Sequence, residues 1–169
     1  IVGFEGVQWS TWALIGHRGA LHTMFAGSNK LTVDEKGRIA IPARLRTQLG
    51  DEYGKQIAIT RGPECVEIYP AAVFRRLAEG IPRIADRAKR MTMLRLFVGN
   101  AVESELDAQG RVLVPTMLRD QMQPGSEVIL AGQIDHFELW PEAQWNASTS
   151  EAQAGYADAF AALNAHIVQ

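Results

Sequence analysis

The second half of this 169-residue chain is poor in positive charge. Between residues 96 and 169 only Arg111 and Arg119 are basic, against ten aspartates and glutamates, a balance of −8. Residues 24–95 carry 14 lysines and arginines against 8 acids, a balance of +6, so the overall −2 hides two opposed stretches. Charge alone leaves three readings open: a nucleic-acid face, two halves that attract each other, or a solvated surface. Cysteine is nearly absent, and a lone Cys65 excludes an intrachain disulfide and suits a reducing compartment. His17, His22, His136 and His166 form no metal-spaced set with it, so neither a metal nor a cofactor is expected. No run of about 18 apolar residues is present, which excludes a membrane-spanning helix. There is also no P-loop and no nucleophile with a base in a known spacing, so neither an enzyme nor a small-molecule substrate is expected. What remains, 47% hydrophobic and 21% charged, is the composition of a globular protein with a real core.

What the chain does have is one sentence written twice. Residues 33–42 are VDEKGRIAIP and residues 106–115 are LDAQGRVLVP. Asp34, Gly37, Arg38 and Pro42 recur 73 positions later as Asp107, Gly110, Arg111 and Pro115. In each copy the apolar alternation before and after the motif predicts two short strands, LTV (31–33) and RIAI (38–41) in the first. The D-x-x-G between them has the residues of a type I turn whose glycine takes a left-handed conformation as a bulge. Pro42 suits the first position of a helix and Gly50 the residue past its end, predicting a helix over 42–49. The second copy predicts the same over 115–122, closed by Pro124-Gly125.

Each copy continues as a pair of strands. These are 56–62 and 65–70 in the first, 127–133 and 136–141 in the second. Pro70 and Pro141 then each open a helix carrying Phe74 or Trp145. A unit of hairpin, short helix, hairpin and helix, about 45 residues long, is therefore built twice. Neither copy has enough strand to bury its own apolar face, so the two are expected to close on each other as a pseudo-dimer. Between them, residues 82–99 predict a helix with Ile84, Ala88, Met91 and Val98 on one face. Arg83, Arg87, Lys89, Arg90 and Arg95 cover the rest and are expected to partner the acidic half or another subunit. Residues 150–166 predict a last helix, with Tyr156, Phe160, Leu163 and Ile167 spaced as a core or subunit-interface stripe. Residues 1–23 belong to neither copy. They lack a basic stretch ahead of their apolar part, so a secretory signal fits poorly. A disordered leader, or a start placed upstream of a natural Met24, is the expectation.

The chemistry of the motif lies in its arginines. Turn geometry accounts for Asp34, Gly37, Asp107 and Gly110, because an aspartate accepts hydrogen bonds from the turn's own N–H groups and a glycine tolerates the left-handed position. Nothing in that geometry requires Arg38 or Arg111. The aspartate can pair with the arginine and orient it.

The stretch MFAGSNKLTVDEKGRIAIPARLR, followed by LDAQGRVLVPTMLR, resembles the MraZ family of bacterial transcriptional regulators, over roughly residues 24–147. The resemblance rests on paired D-x-x-x-R signatures at Asp34–Arg38 and Asp107–Arg111. Each is followed by P-x-x-x-R, at Pro42–Arg46 and Pro115–Arg119. It implies two swapped-hairpin units of the AbrB and SpoVT type: an α+β, β-rich, pseudo-dimeric barrel with a C-terminal helix. The implied boundaries are 24–80 for the first unit, 81–99 for the basic connector, 100–147 for the second unit and 148–169 for the last helix. It further implies sequence-specific binding to repeated boxes upstream of the division and cell-wall gene cluster, including the family's own gene. The implied setting is the cytoplasm at the nucleoid, and the implied partners are double-stranded DNA and further copies of the chain in a ring. Weak single contacts would then add by avidity.

On that reading Lys36 and Arg38 contact DNA from the first turn, Arg38 being suited to a bidentate guanine contact. Arg44 and Arg46 on the following helix are expected on phosphates or acids. Gln109 stands where the first copy has Lys36, so the second motif, with Arg111, Pro115 and Arg119, is expected to be mainly structural. The competing reading is an antitoxin-like or ring-forming protein–protein module, whose arginines bridge subunits without specific DNA binding.

Overall fold

The computed structural model describes residues 24–119 and 122–167. The expectation for residues 1–23 lies outside the described residues. Strand β1 (Ser28–Thr32) and strand β2 (Arg38–Ala40) flank the first turn, and helix α1 (Ala43–Tyr53) follows. Strands β3 (Gln56–Arg61) and β4 (Val66–Pro70) lead into helix α2 (Ala71–Gly80). The second copy repeats this as β5 (Val102–Glu105), β6 (Arg111–Leu113), β7 (Glu127–Gly132) and β8 (Phe137–Pro141).

The two copies exchange strands. β1 pairs antiparallel with β7 of the other copy, and β5 pairs with β3, so the six-stranded sheet runs β1-β7-β8-β4-β3-β5. β2 and β6 pair only with each other, as a separate two-stranded ribbon in register Arg38↔Leu113, Ile39↔Val112 and Ala40↔Arg111. The sheet is therefore open, with β1 and β5 as its edges, and does not close into the expected barrel. The turns explain why. Gly37 (φ 78°) and Gly110 (φ 75°) sit in the left-handed region. A bulge of this kind re-aims the returning strand out of the plane of the one before it.

One core lies between sheet and ribbon. It takes Ile39 and Val112 from the inner face of the ribbon, Leu45 and Leu49 from α1, and Ile57, Ile59, Ile68, Leu130 and Leu139 from the sheet, all essentially buried. A second cluster, with Tyr69, Val73, Phe74, Ile81 and Phe97, packs α2 and the connector against the other side. Ion pairs tie one copy to the other across this frame: Lys30 with Glu127 (2.7 Å) and Glu142 (3.0 Å), and Arg75 with Glu103 (3.2 Å). These pairs join basic residues of the first copy to acids of the second at the surface.

Four helix expectations need correction. α1 runs through Gly50 and ends at Gly54 (φ 75°), because a glycine inside a helix costs only about 1 kcal/mol while Leu49 still packs into the core. The matching segment of the second copy is only a 3-10 turn, Thr116–Leu118. The chain there must reach Gly125 (φ 86°) in two residues fewer, and Pro124 disfavours helix at the residue before it. The connector is not one helix over 82–99. It begins as a 3-10 turn (Ile81–Arg83), continues as helix α3 (Arg87–Thr92) and widens to a π-helix over Met93–Val98. Asp86 sets the break: its Oδ1 accepts from Ala88 N (2.8 Å) and Lys89 N (3.1 Å), an N-cap that starts a new helix. Finally, the helix opened by Pro141 does not stop before the terminal one. They form a single helix α4, Glu142–Ile167.

A two-stranded ribbon as candidate nucleic-acid interface

Alternation along β2 and β6 sorts the ribbon into two faces. Ile39 and Val112 point into the core, while Arg38, Ala40, Arg111 and Leu113 share the outer face. Because Arg38 stands opposite Leu113 and Ala40 opposite Arg111, the two arginines lie on a diagonal of that face. The pairing across copies brings together two residues that the sequence separates by 73 positions.

Each arginine is held by the aspartate of its own turn. Asp34 Oδ1 accepts from the backbone N–H groups of Lys36 (2.9 Å) and Arg38 (2.8 Å). Asp34 Oδ2 accepts from Arg38 Nε (2.7 Å) and Nη2 (2.7 Å). In the second copy Asp107 Oδ1 accepts from Gln109 N (2.9 Å) and Arg111 N (2.9 Å), and Oδ2 from Arg111 Nε (2.8 Å) and Nη2 (2.8 Å). The Asp34 carboxyl is held down at about 2 by the Arg38 side chain first and the backbone N–H donors after it. That of Asp107 is lowered mainly by the Arg111 backbone N–H, then by its guanidinium. Arg38 Nη1 also reaches Asp107 Oδ2 at 3.8 Å, linking the two turns.

A guanidinium has five N–H donors, and the aspartate takes two of them along its Nε–Nη2 edge. Two of the other three, one on each Nη, remain on the end of the fork, the side that recognises a flat pair of acceptors. Both copies offer this arrangement, so the pairing does not set Arg38 apart from Arg111. The tips do differ: Lys36 is exposed at one turn and Gln109 at the other.

The arginines of the P-x-x-x-R signatures cross over. Arg46, on α1 of the first copy, donates from Nη1 to Gln109 O (3.1 Å) and lies over the second turn. A Cβ on Gly110 would meet its Cδ and Nη1 at 2.2 Å. Arg119 lies in the same way over the first turn, where a Cβ on Gly37 would fall 1.1 Å from Nη1, and its Nη2 donates to Thr116 Oγ1 (3.3 Å). Each copy's helix segment thus clamps the other copy's turn. Sequence reasoning placed Arg46 on phosphates or acids and missed this clamp, although the signal was present in the paired recurrence of P-x-x-x-R with D-x-x-G. Pro42 and Pro115 stand just before α1 and the 3-10 turn in extended backbone (ψ 140° and 137°), one place ahead of the expected first helical position, and fix φ at the entry to each. Arg44 stays exposed and donates to Ala26 O (2.7 Å). Among the described residues Arg83, Arg87, Lys89 and Arg95 form no ion pair, and Arg90 donates from Nη1 to Ile84 O (2.5 Å).

The family model of the MraZ protein, described as antitoxin-like, matches residues 24–95 and again 97–165. The chain belongs to the MraZ family. Its two family units coincide with the two strand-exchanging copies. A transcriptional regulator MraZ of Bifidobacterium longum is 40% identical over 141 residues, covering 82% of this chain and 91% of that protein. One of Nitrosomonas eutropha is 38% identical over 133 residues, covering 78% and 90%. One of Methylococcus capsulatus is 36% identical over 130 residues, covering 76% and 86%. These MraZ relatives are named as regulators and not as enzymes, in keeping with the expectation of no catalysis. No helix among the described residues is long and apolar enough to cross a membrane.

Proposed function

We propose that this protein is a sequence-specific DNA-binding transcriptional regulator that presents the outer face of the β2–β6 ribbon to the major groove. A two-stranded ribbon fits that groove, and an arginine fork matches the two acceptors of a guanine edge. The observation that carries this reading is the pair of guanidiniums, each pre-aligned by its turn aspartate, side by side on one solvent face. Pre-alignment lowers the ordering cost of binding. Arg38 makes the principal base contact, Lys36 contacts phosphate beyond it, and Arg44 contacts phosphate from α1. Arg46, Arg119, Gly37, Gly110, Pro42 and Pro115 hold the turns, and Arg111 mainly supports the ribbon because its turn lacks a lysine at the tip. The units act as 24–80 and 100–147, joined by 81–99 and followed by 148–169. The targets are repeated boxes upstream of the division and cell-wall gene cluster, including the protein's own gene, at the nucleoid in the cytoplasm. Several copies in a ring address adjacent boxes.

The deciding experiment is a titration of the DNA upstream of this protein's own gene, beside a scrambled duplex, with wild type, Arg38→Ala and Arg111→Ala. Loss of one bidentate base contact should cost about 1–3 kcal/mol per engaged subunit in Arg38→Ala. Equal affinity of the wild type for both duplexes would favour the antitoxin-like protein–protein module instead. An equal loss in Arg111→Ala would place both turns on DNA.

A further inference from the structure

From Thr149 to Ala165 every side chain of α4 is exposed. At about 1.5 Å per residue this is a free helix of roughly 25 Å. An isolated helix of that length is marginal in water, and this one is not polar all round. Tyr156, Phe160 and Leu163 are 61%, 51% and 54% exposed and form an i, i+4, i+7 row on one side, the two rings 6.2 Å apart. Elsewhere on the chain, α2 and the connector leave an apolar groove of about 610 Å³ walled by Leu77, Ile81, Ile84, Met93, Leu96 and Phe97. Met93 and Leu96 of the π-helix are exposed there while Phe97 is turned inward, and Leu77 of α2 is exposed beside them.

We infer that α4 of one copy docks in this groove of a second copy, head to tail. The inference rests on the self-association included in the proposed function and names the two surfaces that make it. Three anchors at i, i+4 and i+7 are the spacing by which an amphipathic helix seats in an apolar groove. Charge selects the partner. The elements around the groove carry Arg83, Arg87, Lys89 and Arg95, all exposed and without ion pairs to described residues, against the acids Glu79 and Asp86, whereas the free part of α4 carries Glu151 and Asp158 and no basic residue; Arg61 and Glu67 line the groove itself. Two α4 helices packed on each other would juxtapose like charges, and α4 in the groove juxtaposes opposite ones. Because the two surfaces are different patches of one chain, the contact is heterologous and propagates from copy to copy until it closes.

The test uses the full chain with Phe160→Asp and Leu96→Asp, both at exposed positions, checked for unchanged circular dichroism and sized by light scattering after chromatography. The wild type should assemble beyond a dimer, and each variant alone should be monomeric. An equimolar mixture of the two variants should form a dimer and stop there, because one intact helix then meets one intact groove and the remaining ends are both blocked. A Leu96→Asp variant that assembles like wild type would overturn the groove as the docking site and point to α4–α4 pairing. A mixture that stays monomeric would overturn head-to-tail docking while self-association stands. A monomeric wild type would overturn the self-association on which the inference rests.

Discussion

Replacing Gly37 by alanine tests the cross-clamp most directly. The residue sits at φ 78°, where an L side chain costs about 1–2 kcal/mol. Its new Cβ would also fall 1.1 Å from Arg119 Nη1 and 2.3 Å from Cζ. These atoms are the far end of a flexible side chain, so the collision is relieved when Arg119 swings off the turn. That movement sacrifices its packing and its bond to Thr116, worth about 1 kcal/mol. Gly37→Ala should therefore lose about 2–3 kcal/mol, and Arg119→Ala alone about 1 kcal/mol. In the double variant there is no guanidinium left to displace, so the total should be about 2–3 rather than 3–4 kcal/mol. Urea melts of the four proteins at one protein concentration give this coupling of about 1 kcal/mol. Losses that add to within about 0.5 kcal/mol would refute the clamp.

Three further outcomes are expected. Asp34, held at about 2 against an ordinary 3.8, contributes stability that is full above pH 3.8 and is lost as the pH falls through 2. Urea midpoints of Asp34→Asn should accordingly fall less steeply than wild type over that window, and parallel pH profiles would dismiss the Asp34–Arg38 pair as a source of stability. Burial, then a hydrogen bond with Glu52, pushes the Tyr53 phenol up to about 12; burial, then the Glu67 hydrogen bond, raises that of Tyr69 as well. Absorbance titration should show these two phenols ionising late, and simultaneous ionisation of all tyrosines near pH 10 would contradict the packing around them. For DNA, the log–log salt slope of affinity is about −0.9 times the number of phosphate contacts, so it should steepen from a one-box to a multi-box duplex and flatten in Lys36→Ala. Identical slopes on the two duplexes would confine DNA contact to one subunit.

The doubling of the chain was legible in its residues because turns and alternation are local. Asp34, Gly37, Asp107 and Gly110 specify their turns through contacts within four residues, and both turns form as expected. Pro42, Pro70, Pro115 and Pro141 mark element starts for the same reason. The inner face of the ribbon was legible too, since a period of two sorts Ile39 from Arg38 wherever the strand pairs. Helix lengths were less so. Gly50 is a stop signal in isolation, but the burial of Leu49 and the contacts of Tyr53 with the core outweigh it.

Local signals leave open which strands pair, and the tertiary structure decides it. Backbone hydrogen bonds are the same for any partner strand, so nothing local says that β1 must pair with β7 and β2 with β6 rather than with each other. That exchange places Arg38 beside Arg111, and it sends Arg46 and Arg119 each onto the other copy's turn. It also leaves the sheet open, because the bulged turns direct β2 and β6 to one another and away from β1 and β5. The Tyr156–Phe160–Leu163 row has the period of a core helix in sequence, and only the path of α4 away from the sheet leaves it in solvent. Short-range geometry wrote the motifs, and the shared apolar core between two incomplete copies chose their partners.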